Sequence, residues 1–86
     1  MTRDELQKTV HQVLKPFLFE PNTNGLRAEM VEALEDIGEG VMAEDRTTGT
    51  MVDHGAVEFH LSDGFKSYRV TYGPGYKRFQ LEERKV

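Results

Sequence analysis

The chain has no cysteine and no tryptophan, and only three prolines in 86 residues. The absence of cysteine excludes a disulfide scaffold, a thiolate zinc site and cysteine-based catalysis. No apolar run approaches the ~20 residues of a membrane helix, and the polar start Met1 to Glu5 leads into no apolar signal-type segment. A soluble, cytoplasmic protein is therefore expected. Aromatics make up 9% of the residues, so each one has to be placed. No internal repeat and no low-complexity stretch interrupts the chain.

What is present is ordinary globular composition, 37% hydrophobic and 30% charged. That composition argues against intrinsic disorder. A chain of this length forms one domain, residues 1–86, and folding withdraws only roughly 60–65% of its surface from water. A core of that size stands to gain from a partner or a second copy. The net charge of −4 is unevenly spread. Five Lys/Arg face thirteen Asp/Glu up to Asp63, which is −8; six face two from Gly64 onward, which is +4. Such asymmetry can steer a molecule toward a complementary surface, although acidic helices beside basic strands often reflect solubility alone.

The first half reads as a helical hairpin over about residues 2–43. Thr2-Arg3-Asp4-Glu5 has the form of a capping box. Leu6, Val10, Val13, Leu14 and Phe17 recur at helical spacing and predict a helix from about Thr2 to Lys15. Pro16 should stop or bend it by moving Lys15 out of helical angles. Pro21-Asn22-Thr23-Asn24-Gly25 is a turn by composition, and Asn22, Thr23 or Asn24 caps the next helix. Leu26, Met30, Val31, Leu34, Ile37 and Val41 predict that helix from about Leu26 to Asp36, or to Ala43 if Gly38 and Gly40 are tolerated.

Ala43 to Gly55 is polar and turn-rich, and is expected as a flexible connection, with Thr50 to Val52 a short extended piece. The hydrophobic period then changes to two. Val57, Phe59 and Leu61, then Tyr68, Val70 and Tyr72, alternate with polar residues around an Asp63-Gly64 hairpin signal. Gly73-Pro74-Gly75 predicts another turn, followed by a third strand from Tyr76 to Leu81 that places Phe79 and Leu81 on the apolar face. The tail Glu82 to Val86 frays or extends that strand. The expected fold is α+β, a helical hairpin packed on a three-stranded antiparallel meander over about residues 56–82, in the order α-α-β-β-β. An isolated meander is marginal, so its apolar face should pack on the helices.

Chemistry-bearing patterns are few, and a non-enzymatic protein is expected, with no catalytic residues, no metal and no cofactor. Asp53, His54, Glu58, His60 and Asp63 lack metal-ligand spacing. Ser62 and Ser67 lack a nucleophile elbow. Gly73-Pro74-Gly75 leads to a strand rather than a helix and is no phosphate loop. Glu29, Glu32, Glu35, Asp36 and Glu39 read as a solvated helix face.

Two constellations point to binding. Phe17, Leu18 and Phe19 form an aromatic-rich run that cannot all face one small core, so they are candidate protein-contact residues unless they brace the elbow. Lys66, Arg69, Tyr76, Lys77 and Arg78 interleave basic and aromatic residues, the chemistry of a nucleic-acid surface on a sheet. The acidic chain as a whole opposes that second reading. A three-stranded meander would also offer unpaired edges for strand addition.

The segment Val13-Leu14-Lys15-Pro16-Phe17-Leu18-Phe19-Glu20-Pro21-Asn22, followed by Leu26-Arg27-Ala28-Glu29-Met30, resembles the C-terminal domain of contractile phage tail sheath proteins and of the small baseplate proteins that initiate the sheath. The resemblance covers about residues 5–40. It implies a self-assembling structural role, a place in a virion, and strands exchanged between subunits. It implies no catalytic residues. The expectation is thus a small structural or assembly protein working through protein contacts, and the alternative a nucleic-acid-binding adaptor.

Overall fold

The structure is a computed structural model, and it describes residues 1–84. Helix α1 spans Arg3–Leu14 and α2 spans Asn24–Glu35. Four strands follow, β1 Met42–Asp45, β2 Val57–Ser62, β3 Ser67–Tyr72 and β4 Gln80–Arg84, with a short helix α3 at Gly49–Asp53 between the first two. The strands form one antiparallel sheet in the order β1-β2-β3-β4. The fold is α+β, with α1 and α2 on one face of the sheet.

The helices begin where side chains satisfy their first amides. The capping box at Thr2 is present: the Thr2 hydroxyl accepts from the Glu5 amide at 3.2 Å, and Glu5 accepts from the Thr2 amide. The Thr2 hydroxyl also donates to the Glu5 carboxylate at 3.0 Å, and this bond with that from the Thr2 amide holds the Glu5 carboxyl below its usual range. Of the three candidate caps for α2, Thr23 is the one used; its hydroxyl accepts from the Leu26 amide at 3.1 Å. Thr23→Ala is expected to cost about 1 kcal/mol and to lower the melting temperature by roughly 4–8 °C in a domain of this size. Thermal denaturation followed by circular dichroism measures it.

The core is built from the two predicted periodicities. Leu6, Val10 and Leu14 of α1 and Leu26, Met30 and Leu34 of α2 meet Val57, Phe59, Leu61, Tyr68, Val70 and Leu81 of the sheet. Phe79, just before β4, completes it with no exposure at all. Neither α1 nor α2 covers the opposite sheet face, and Met51 of α3 reaches one end of it beside Glu58, Arg69 and Thr71.

Four local expectations are corrected. The sheet has four strands rather than three, because Met42–Asp45 pairs with β2 from Met42↔Ser62 to Asp45↔Phe59. On the helix side of these four residues Ala43 is followed by the polar Asp45, so no apolar alternation signals a strand. Thr50 to Val52 is helical, since the Thr48 hydroxyl accepts from the Met51 amide at 3.2 Å and starts α3. Lys15 keeps helical angles (φ −51°, ψ −43°); the chain passes Pro16 by tightening into a 3₁₀ turn over Lys15–Phe19. Proline suits the first turn of such a segment, where its missing N–H is not needed. Of the two endings expected for α2 the earlier one holds: it stops at Glu35 with Asp36 as its cap, short of the glycines, and Gly40 turns the chain at φ +76°.

The last strand starts at Gln80 rather than Tyr76. The reason is competition for backbone partners. The Phe79 amide donates to His11 Nδ1 at 3.3 Å, and its carbonyl accepts from Gln7 Nε2 at 3.2 Å. Both partners are side chains of α1, so Phe79 is held by a helix instead of by β3. Glu82–Arg84 extends the strand as one of the two expected outcomes for the tail; residues 85 and 86 of that tail lie outside the described residues.

Candidate protein-contact site

The elbow between α1 and α2 separates the three candidate contact residues. Phe17 and Leu18 are half-buried and pack against the core. Phe19, at the end of the 3₁₀ turn, is 84% exposed. An i, i+1, i+2 run on a tight helix spreads over three directions, so the third residue has no core to face. Phe17 and Leu18 form one wall of an open apolar groove of about 230 Å³. Leu26, Met30, Gly55, Val57 and Tyr72 line the rest together with the polar Glu20 and Asn22.

The elbow is held by a buried cation that the sequence reading passed over. Arg27, only 5% exposed, enters the first turn of α2 and donates in three directions. Its Nε pairs with Asp45 Oδ2 on β1 at 3.0 Å, and its terminal nitrogens donate to the Asn22 and Asn24 side-chain carbonyls. Asn22 in turn donates to the Ala56 carbonyl at 3.2 Å. The phrase Glu20-Pro21-Asn22 followed by Leu26-Arg27 therefore has a physical purpose: one guanidinium fastens the turn, the second helix and the first strand. Burial acts to raise the Asp45 carboxyl. Hydrogen bonds from the Thr47 hydroxyl and amide, with Arg27 beside it, outweigh burial and bring it below the usual range. The available signal was an arginine with asparagines three and five residues before it; its distant partner Asp45 had none.

The basic and aromatic candidates are dispersed. Arg69 lies on the open face of β3 and pairs with Glu82 at 2.8 Å, which favours its charged form. Lys66, in the β2–β3 turn, lies 3.8 Å from Glu83. Tyr76 is 45% exposed and meets the Tyr72 ring edge-on, with centroids 6.2 Å apart. Tyr76, Lys77 and Arg78 sit in the β3–β4 loop instead of on a strand. Arg78 lies beside Lys8 and His11 of α1 around a shallow hollow of about 150 Å³. Arg69 and Tyr76 line one hollow of about 380 Å³, whereas Lys66 in the β2–β3 turn and Arg78 beside α1 stand apart from it.

The open sheet face is balanced in charge. Across its middle run Glu44, His60, Arg69 and Glu82 in register. Arg84 reaches His60 Nδ1 at 2.7 Å, and Arg46 lies 3.6 Å from Glu44. Cations and carboxylates alternate there, which leaves no net field for a polyanion. Among the described residues, no three His, Asp or Glu side chains are grouped to hold a metal ion, and no helix is long and apolar enough to cross a membrane.

The chain matches no protein-family model, no curated protein and no solved structure.

Proposed function

We propose that this chain is a small non-enzymatic structural or assembly protein that acts through protein–protein contact at the elbow. The observation that carries the reading is Phe19, a phenylalanine 84% exposed on a rigidly fastened turn beside an apolar groove. Scattered surface apolar residues need no explanation. Here an exposed ring and a groove are adjacent, and aromatic anchors beside pockets are the usual centres of protein interfaces. The resemblance of residues 5–40 to sheath and sheath-initiating proteins agrees with an assembly role, in the cytoplasm or in a virion. The outer edges of β1 and β4 add a means of association, since an edge strand can accept a strand from another chain.

The alternative is a nucleic-acid-binding adaptor using the basic residues of the sheet. It has less support, because Arg69 and Lys66 already have carboxylate partners.

Phe19→Asp tests the main reading. An exposed residue outside the core should change stability by less than about 0.5 kcal/mol, so the variant should fold as the wild type does. Association, read by sedimentation and cross-linking alone and with candidate partner proteins, should fall at least about 10-fold, in line with loss of an interface anchor. Unchanged association would remove the elbow from the interface.

A further inference from the structure

Three side chains of α1 stand on the outer edge of β4. Arg3, Gln7 and His11 follow one another at helical spacing and form a polar stripe along α1. Arg3 Nη2 donates to the Leu81 carbonyl. Gln7 Nε2 donates to the Phe79 carbonyl at 3.2 Å, and His11 Nδ1 accepts from the Phe79 amide at 3.3 Å. Arginine and glutamine bring donors to carbonyls, and a neutral imidazole brings an acceptor to an amide, so each side chain matches its backbone group. Backbone groups alternate in direction along a strand. Phe79 and Leu81 turn theirs outward to α1, so Glu83 turns its own outward too, while Gln80, Glu82 and Arg84 face β3. The β1 edge is met in the same way by α2, where Glu35 Oε2 accepts from the Ala43 amide at 3.3 Å.

We propose that the Arg3, Gln7 and His11 stripe is an autoinhibitory latch, which keeps β4 from pairing with a strand of another chain until these side chains leave the edge. This inference rests on the assembly reading, in which the β4 edge is a means of association, and names what restrains it. The Gln7 and His11 nitrogens lie 3.2 and 3.3 Å from the Phe79 backbone, inside the ~4.8 Å that separates paired strands. An incoming strand has to displace them before it can bond at Phe79 or Leu81. The competition is direct, because the amides and carbonyls of that strand would take over the same backbone groups.

Latch and fold are separable. A second stripe on α1, Leu6, Val10 and Leu14, is buried in the core and anchors the helix on its own. Leu6 and Val10 each precede a latch residue, so the two stripes run side by side. The apolar one lies on the face of the sheet and the polar one beside its edge. Rotation of side chains therefore opens the latch while the helix stays docked.

The double variant Arg3→Ala/His11→Ala opens the latch at its two more accessible members and keeps the buried Gln7. It should fold, as circular dichroism would show, and its Phe79 amide should exchange faster by NMR. Sedimentation velocity from about 10 μM to about 1 mM should show self-association about 10-fold stronger than that of the wild type, the effect of removing two competing hydrogen bonds of ordinary strength. The variant should not recruit the wild type, since β4-to-β4 pairing needs an open edge on each copy. Adding Glu83→Pro should cancel the gain, because proline removes an outward donor that β3 does not use. Should the double variant fail to fold, Arg3→Ala alone, at a half-exposed side chain, should give a smaller gain of the same kind. A folded variant that associates no more than the wild type overturns the inference, and so does an unchanged Phe79 exchange rate in the double variant. A gain abolished by Phe19→Asp instead of by Glu83→Pro overturns it as well, and leaves the contact at the elbow. A loss of association in Phe19→Asp alone, without any gain on opening the latch, keeps the elbow reading and removes only the latch.

Discussion

Arg27→Ala should melt roughly 12–24 °C below the wild type, a loss of about 3 kcal/mol at ~4–8 °C per kcal/mol for a domain of this size. The magnitude follows from what the substitution strands. Removing one partner of a buried ion pair costs ~3–5 kcal/mol because the other charge stays behind. Asp45 keeps 30% of its side chain exposed, which moves the expectation to the lower end. The carbonyls of Asn22 and Asn24 lose their donor in the same step, and that raises it again. Arg27→Lys should recover only part of the loss, since an ammonium on a flexible stem does not reproduce a planar fork with three acceptors.

The same site predicts a pH dependence. The folded-state pKa of Asp45 is depressed, so the folded protein binds fewer protons there than the unfolded chain. The stabilisation is fully present above the unfolded value of about 3.9. It is lost as pH falls through the lower folded value. Removing Arg27 takes away one of the causes of that depression. Denaturant melts at pH 7 and near pH 3 should therefore show the gap between wild type and Arg27→Ala narrowing in acid. A gap that widens would mean that the Asp45 pair is not what Arg27 stabilises.

Phe79→Ala should be at least as damaging, with a loss of about 3–5 kcal/mol for a fully buried phenylalanine. The total stability of an 86-residue chain is of order 4–13 kcal/mol, so the variant should be partly unfolded at 37 °C. Phe79 has no exposed surface, its ring lies 4.9 Å from Tyr72 and 6.0 Å from His11, and its backbone bonds tie the β3–β4 loop to α1. Phe65→Ala, the same chemical change on a ring that touches no core, is the matched control and should leave the denaturation midpoint within about 0.5 kcal/mol. Equal midpoints for the two variants would show that burial is not what separates these phenylalanines.

The contrast between those two residues shows what periodicity can and cannot reveal. Phe79 was placed on the core face because Leu81 lies two residues on, and that placement holds although Phe79 is not in a strand. Phe65 occupies a turn, where period carries no information. The elbow run shows the same limit at closer range. Three adjacent apolar residues announce that one must face outward, but only the 3₁₀ geometry after Pro16 makes it Phe19.

By itself the sequence determined the two amphipathic helices, the capping box at Thr2, the turn at Asp63-Gly64 and the alternating strands around it. Each of these is a local effect, written in spacings of two, three or four residues, and short-range sterics and hydrogen bonding suffice to produce it. Tertiary structure alone decided that Met42–Asp45 joins the sheet, that Gln7 and His11 take the backbone of Phe79 away from β3, and that Arg27 finds Asp45. Those outcomes depend on pairing between residues 14 to 72 positions apart. A polar group leaving water accepts whichever partner the packed core brings within reach. The spacing of residues along the chain does not contain that choice.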